Sequence, residues 1–397
     1  MSPESVASPA AAPGRSGRRR PPDRRQMIVG AAAKSFSESG YHAVRLEDIA
    51  DTVGISTPAL YRHFPNKYAL FAETARHLAD ALAAAVEPIP VGGPDELREL
   101  LAALTVAAIE NRRTGGIYRW ESQFMQPDDA EYVRDIVVAQ HRRIRTALTI
   151  RRPDLDRGTA DVITAAMTSV VASPATHRAS LSRKQIETTI TDAALALESV
   201  DLPDDLADSA TPRIGLPPAA RREVLLGEAI RLFAASGFHD VTIDDIARAA
   251  DLPASGVYRH FASKTDILEA AFWRASDRVT SAVSDALAAS TTPREAIMAL
   301  VAGYVELCHG NPELIAVYMA EIGNVGKRQR TALRNQQRLN VEEWSAWVAR
   351  HRAEVSPVRA RFLVHAALNV VGDLTRIDRR PNTETVAALG SRLLLVG

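Results

Sequence analysis

The side chains best placed to do chemistry form one short pattern that occurs twice. Tyr61-Arg62-His63-Phe64 is followed by Lys67, and Tyr258-Arg259-His260-Phe261 by Lys264. Helical spacing from Thr57 to about Phe64 turns Leu60 and Phe64 inward. It leaves Thr57, Pro58, Tyr61 and Arg62 together on one exposed face. Hydroxyl, aromatic and guanidinium groups on a narrow face are suited to base edges and phosphates. Asn66 and Ser263 are expected to cap the next helix, placing Lys67 and Lys264 in its first turn. A lysine beside those free N–H groups makes a corner for phosphate. His63 and His260 have no second ligand at metal spacing, so groove or phosphate proximity, or plain solvation, is the expected use. No metal or cofactor is expected. HExxH, glycine-rich phosphate loops, GxSxG and SxxK are absent, which argues against an enzyme.

These side chains need a scaffold, and the preceding residues supply one. A first helix from Arg24 spaces Ile28, Ala32 and Phe36 by four; its second copy has Leu225, Ala229 and Phe233. Gly40 and Gly237 stop it. A second helix carries the stripe Leu46, Ile49, Ala50 and Val53, matched by Ile243, Ile246, Ala247 and Ala250. Thr242 with Asp245 predicts a capping box, whereas Arg45 replaces that threonine in the first copy and adds charge near the helix start. The tight turn Gly54-Ile55-Ser56 then leads into the third helix. Two short helices joined by a three-residue turn, the second presenting small, hydroxyl and basic groups, fit a major groove.

At an offset of 197 residues the two copies align without a gap, with 17 of 47 positions identical. The offset is nearly half of the 397-residue chain, so one unit has been duplicated. We read a basic arm over 1–23, a head over 24–76, a helical body over 77–199, and a proline- and aspartate-rich linker over 200–220. A second head over 221–273 and a second body over 274–397 follow. Helical spacing recurs throughout and period-two alternation never persists, so the expected fold class is all-α. Residues 1–80 hold eleven basic and eight acidic side chains, while 213–275 hold eight of each. Arg18, Arg19 and Arg20 form an arm for a minor groove or a solubilising tail. The net charge of zero therefore hides a basic start. The lone Cys308 excludes internal disulfides and fits a reducing cytoplasm as a small buried hydrophobe. No apolar run is long enough for a membrane span.

The segments LEDIADTVGIS–YRHFPNK and IDDIARAADLP–YRHFASK resemble the DNA-binding heads of TetR-type repressors. The resemblance covers about 50 residues at the start of each half. It implies a three-helix head and a larger helical body that dimerises and holds a small-molecule inducer. Carried over by position, Tyr61 and Lys67 touch phosphates, while Thr57, Pro58 and Arg62 lie at or near base edges. Tyr258, Lys264, Ala254, Ser255 and Arg259 correspond in the second head. In the bodies Trp120, Phe124, Tyr304, Tyr318 and Trp344 are candidate pocket linings, with Asn369 a candidate polar contact; core packing is the competing expectation. Two units in one chain predict an intramolecular pseudo-dimer, with a homodimer as the alternative. Because the recognition faces differ, the DNA operator is expected to be asymmetric. A nucleoid-bound protein recruiting a protein partner is the competing reading to ligand sensing.

Overall fold

The computed structural model describes residues 24–112, 124–203, 205–206, 216, 218–377 and 380–396. Those residues form helices without a strand. The first head comprises α1 (Arg24–Ser39), α2 (Leu46–Val53), α3 (Thr57–His63) and the start of α4 (Lys67–Val86). The first body continues with α5 (Glu96–Glu110), α6 (Pro127–Arg151), α7 (Arg157–Ala172) and α8 (Arg183–Ala196). The second head comprises α9 (Arg221–Ser236), α10 (Ile243–Ala249), α11 (Ala254–Val257) and the start of α12 (Lys264–Ala288). Its body adds α13 (Pro293–Gly310), α14 (Pro312–Ala320), α15 (Lys327–His351), α16 (Pro357–Leu374) and α17 (Thr383–Leu395). Arg18, Arg19, Arg20 and Trp120 lie outside the described residues.

The two bodies share one apolar core. Ile163, Met167 and Val170 of α7 and Ile186 and Ile190 of α8 belong to the same buried cluster as Phe362, Leu363, Val370, Leu389 and Leu393 of α16 and α17. Non-directional apolar burial of this extent is the main attraction between them. Polar bonds fix the register. Asn369 donates its side-chain N–H to the Ser169 carbonyl at 2.9 Å, and Ser169 Oγ bonds Asp373 at 2.5 Å. Ser169 and Asn369 occupy matching places ahead of a Val-Val pair in each body, so the seam runs close to a pseudo-two-fold axis. Arg392 reaches across to the Ala196 carbonyl and Ser199 Oγ.

Near the same seam the rings of His177 and His365 stack at 4.0 Å. Burial, with the Arg112 and Arg361 charges, holds His365 down at about 4. Burial, the neighbouring His365, and the Arg112 and Arg178 charges depress His177 further. Both rings are therefore neutral in the fold, while in an unfolded chain they protonate near the ordinary histidine value of about 6.5. Their stabilising contribution is complete above that pH and is lost as pH falls from about 6.5 towards 4. Urea denaturation should show a loss of a few kcal/mol between pH 7.5 and 5. His365→Gln should reduce this acid sensitivity, and identical pH profiles for both proteins would disprove the assignment.

Candidate nucleic-acid interface

The head is built by small apolar residues that let three short helices cross closely. Ile28, Ala32, Phe36, Leu46, Ile49, Leu60, Phe64 and Phe71 form one buried cluster. Gly40 closes α1 at φ 81° and Gly54 closes α2 at φ 72°, both left-handed values that glycine adopts without a Cβ penalty. Ser56 then caps α3, accepting from the Ala59 N–H at 3.4 Å, with Pro58 in the first turn. Pro58, Tyr61, Arg62 and His63 are exposed and Thr57 is half-buried at the helix start. Tyr61 is 48% exposed, high for a large aromatic with no covering partner surface. Arg45 stands at the N-cap of α2 without a side-chain cap bond and pairs loosely with Glu47 at 3.5 Å. This arrangement presents an amphipathic aromatic, a planar guanidinium and a fixed helix start on one solvent-facing surface.

The second head departs from the first at the corresponding places. Thr242 and Asp245 make the reciprocal capping box at the start of α10. The recognition segment, however, is helical only from Ala254 to Val257, and Pro253 provides no side-chain cap. Ser255 and Gly256 are weak helix formers, so nothing offsets the missing cap. Tyr258, Arg259 and His260 are exposed but occupy the turn that follows α11. Asp251 takes the left-handed position of Gly54, at φ 55°.

Both lysines are turned onto loop carbonyls of their own head. Lys67 Nζ donates to the His42 carbonyl at 3.0 Å and lies over the Tyr41 ring. Lys264 Nζ donates to the carbonyls of Phe238, Val241 and His239 at 2.6, 2.7 and 3.3 Å. An ammonium has three donors, so Lys264 is fully occupied within its own head, and burial lowers its pKa. Sequence spacing placed both lysines correctly in a first turn but did not show these loop carbonyls, which approach only in three dimensions.

Between the heads, His42 and His239, equivalent positions of the repeat, bring their rings within 4.1 Å. His239 also bonds Asn324 Oδ1 at 2.8 Å. Glu321 accepts the Phe238 N–H at 3.0 Å and an Asn324 side-chain N–H at 2.6 Å. Its burial raises its pKa.

The pocket candidates separate in the same way. Tyr304, Tyr318 and Trp344 line one cavity of about 60 Å³ in the second body, with Ser276, Gln337 and Asn340 as its polar groups. That volume holds a few water molecules, and no lining side chain carries a formal charge. Phe124 is not with them: it stacks on Tyr41 at 5.5 Å and meets His42 at 4.6 Å, wedging the first body against its head. Asn369 lies in the seam between bodies. Both misplacements have one cause, since a helical period gives a side chain's face but not the neighbour that covers it. Cys308 is buried beside Tyr304, and burial pushes its thiol up to about 12. Among the described residues no cluster of metal-ligating side chains occurs and no helix is long and apolar enough to cross a membrane.

Comparison with known proteins places this geometry. The family model for bacterial regulatory proteins of the tetR family matches residues 28–74 and again 225–271. The chain is 36% identical over 91 residues to the HTH-type transcriptional activator FasR of Mycolicibacterium smegmatis, covering 23% of this chain and 42% of that one. It is 29% identical over 127 residues to the nucleoid occlusion factor SlmA of Vibrio atlanticus, covering 32% and 65%. The chain thus spans less than two thirds of the length of these curated relatives. A TetR-family transcriptional regulator from Bordetella parapertussis superposes with a TM-score of 0.42 at 21% identity, covering 45% of this chain and 96% of that one.

The capping assignments make a stability prediction. Ser56→Ala should cost about 1 kcal/mol, and Lys264→Met about 1–3 kcal/mol through three abandoned carbonyls. Amide exchange in the two heads should locate each loss in its own head; exchange unchanged around Phe238–Val241 in Lys264→Met would contradict the clamp.

Each half of the chain therefore opens with a segment, residues 28–74 and 225–271, that matches the model for bacterial regulatory proteins of the tetR family.

Proposed function

We propose that the chain is a transcription regulator that binds operator DNA through its heads and is released by a small molecule held in a body, acting as a repressor. The observation that carries the reading is the capped α3, with Tyr61 and Arg62 exposed beside Thr57 and Pro58. In this reading Arg62, Thr57 and Pro58 meet base edges, and Tyr61 and Arg45 meet phosphates. Lys67, His63 and the arm residues Arg18, Arg19 and Arg20 add positive charge around them. The corresponding residues of the second head are Thr242, Ala254, Ser255, Tyr258, Arg259, His260 and Lys264.

The shared core of the bodies supports a pseudo-dimer acting within one chain, and the unlike recognition segments support an asymmetric operator. The cavity at Tyr304, Tyr318 and Trp344 supports ligand control. It adjoins α14, whose last residue leads directly to Glu321 and the grip on the second head. A ligand that enters with different affinity for two placements of α14 would shift the heads between them.

Fragments of genomic DNA retained by the native protein should identify the operator. On that DNA, Arg62→Ala should weaken specific binding by about 1–3 kcal/mol and lower the ratio of specific to random binding. Equal losses on specific and random DNA would reject base reading by Arg62. Failure to retain any DNA would reject the whole reading.

A further inference from the structure

We propose that the first head alone reads and grips the operator, and that the second head is a rigid mount that positions the first. The inference rests on the DNA-binding reading above and divides the work between the two heads.

Three independent observations lead here. The first is charge. The aligned windows 24–76 and 221–273 hold seven basic against five acidic residues and six against eight, respectively. The added carboxylates sit at corners of the recognition unit. Asp251 replaces Gly54 in the turn before the recognition segment, Asp266 replaces Ala69 in the turn beside Lys264, and Asp240 replaces Ala43 in the loop before α10. Asp240 and Asp251 are exposed. Backbone binding depends on cations that displace counterions from phosphates, and carboxylates at those corners oppose it.

The second observation is local structure. The uncapped α11 ends at Val257, leaving Tyr258 and Arg259 in a turn, whereas the capped α3 continues to His63. Discrimination between bases needs donors held in a fixed geometry.

The third is packing. The core of the second head is continuous with its body: Leu225, Phe233 and Phe272 share one buried cluster with Leu314, Val317 and Leu333. In the first head, Ala79 and Val133 of the body are buried in the head cluster, with Phe124, Met125 and Ile136 packed against it. The second head is thus built into the body, and its His239 ring meets His42 of the first head.

Hydroxyl-radical footprinting of the full chain on duplexes selected from a random-sequence library tests this. The expected result is one protected segment per chain, about one helical turn long. Arg62→Ala should reduce affinity at least tenfold and Arg259→Ala less than twofold. Both positions are exposed, and helical circular dichroism checks that each variant is folded. The double variant Asp251→Gly/Asp266→Ala should strengthen binding to random DNA severalfold by restoring the charge pattern of the first head. Two protected segments one turn apart, or comparable losses from Arg62→Ala and Arg259→Ala, would overturn the division while leaving the DNA-binding reading intact. No protection on any selected duplex would instead remove the reading itself.

Discussion

The apolar seam between the two bodies is the contact on which everything else depends. A three-helix head of about 50 residues buries little surface and is marginal alone. Its position relative to a second head is set only by what lies beneath. Here α7 and α8 close on α16 and α17 around one continuous core, and the Ser169–Asn369 and Ser169–Asp373 bonds select one register from the many that oily surfaces permit. Buried polar bonds of this kind add specificity because an unpaired partner is costly.

From that seam outward, contacts become more polar and more local. Polar side chains tie each head to its body, in the second head beside a shared apolar core. Tyr68 and Arg76 both bind Asp129, tying the first head's α4 to its body. Glu321 and Asn324 tie the second head by its α9–α10 loop. These bonds are directional and few in number, so they define positions rather than supply the bulk of the attachment. The one cavity described lies between these regimes, with apolar walls towards the seam and α14 towards the head.

Much of this was legible in the sequence, for reasons specific to each residue. Duplication was visible because the heads retain glycines, caps and aromatics at fixed offsets. The helix faces followed from period: Leu46, Ile49 and Ala50 are buried as the stripe requires. Tyr304, Tyr318 and Trp344 share a cavity because three neighbouring helices direct large side chains inward. Phe124 and Asn369 lie away from the cavity because their partners lie far along the chain. Glu321 meets Phe238 from 83 positions away, and Asn369 meets Ser169 from 200. No local pattern encodes such a meeting. The asymmetry of the heads was half legible: Arg45 stands where the second head has the capping Thr242, but the loop carbonyls that both lysines meet were not.

The linker has a consequence for dosage. Separate subunits that must pair before binding occupy DNA in proportion to a power of their concentration, and become scarce as monomers when dilute. Tethering replaces that encounter by an intramolecular one, at an effective concentration set by the tether. Asn382 of the second unit donates to the linker carbonyls of Asp205 and Leu206, so the tether is itself docked on the body it delivers. In the pseudo-dimer reading proposed above, such a chain would meet its target as a single particle at any abundance. On that reading its response to synthesis is first-order, because its own second half fills the seam through which a separate subunit would pair.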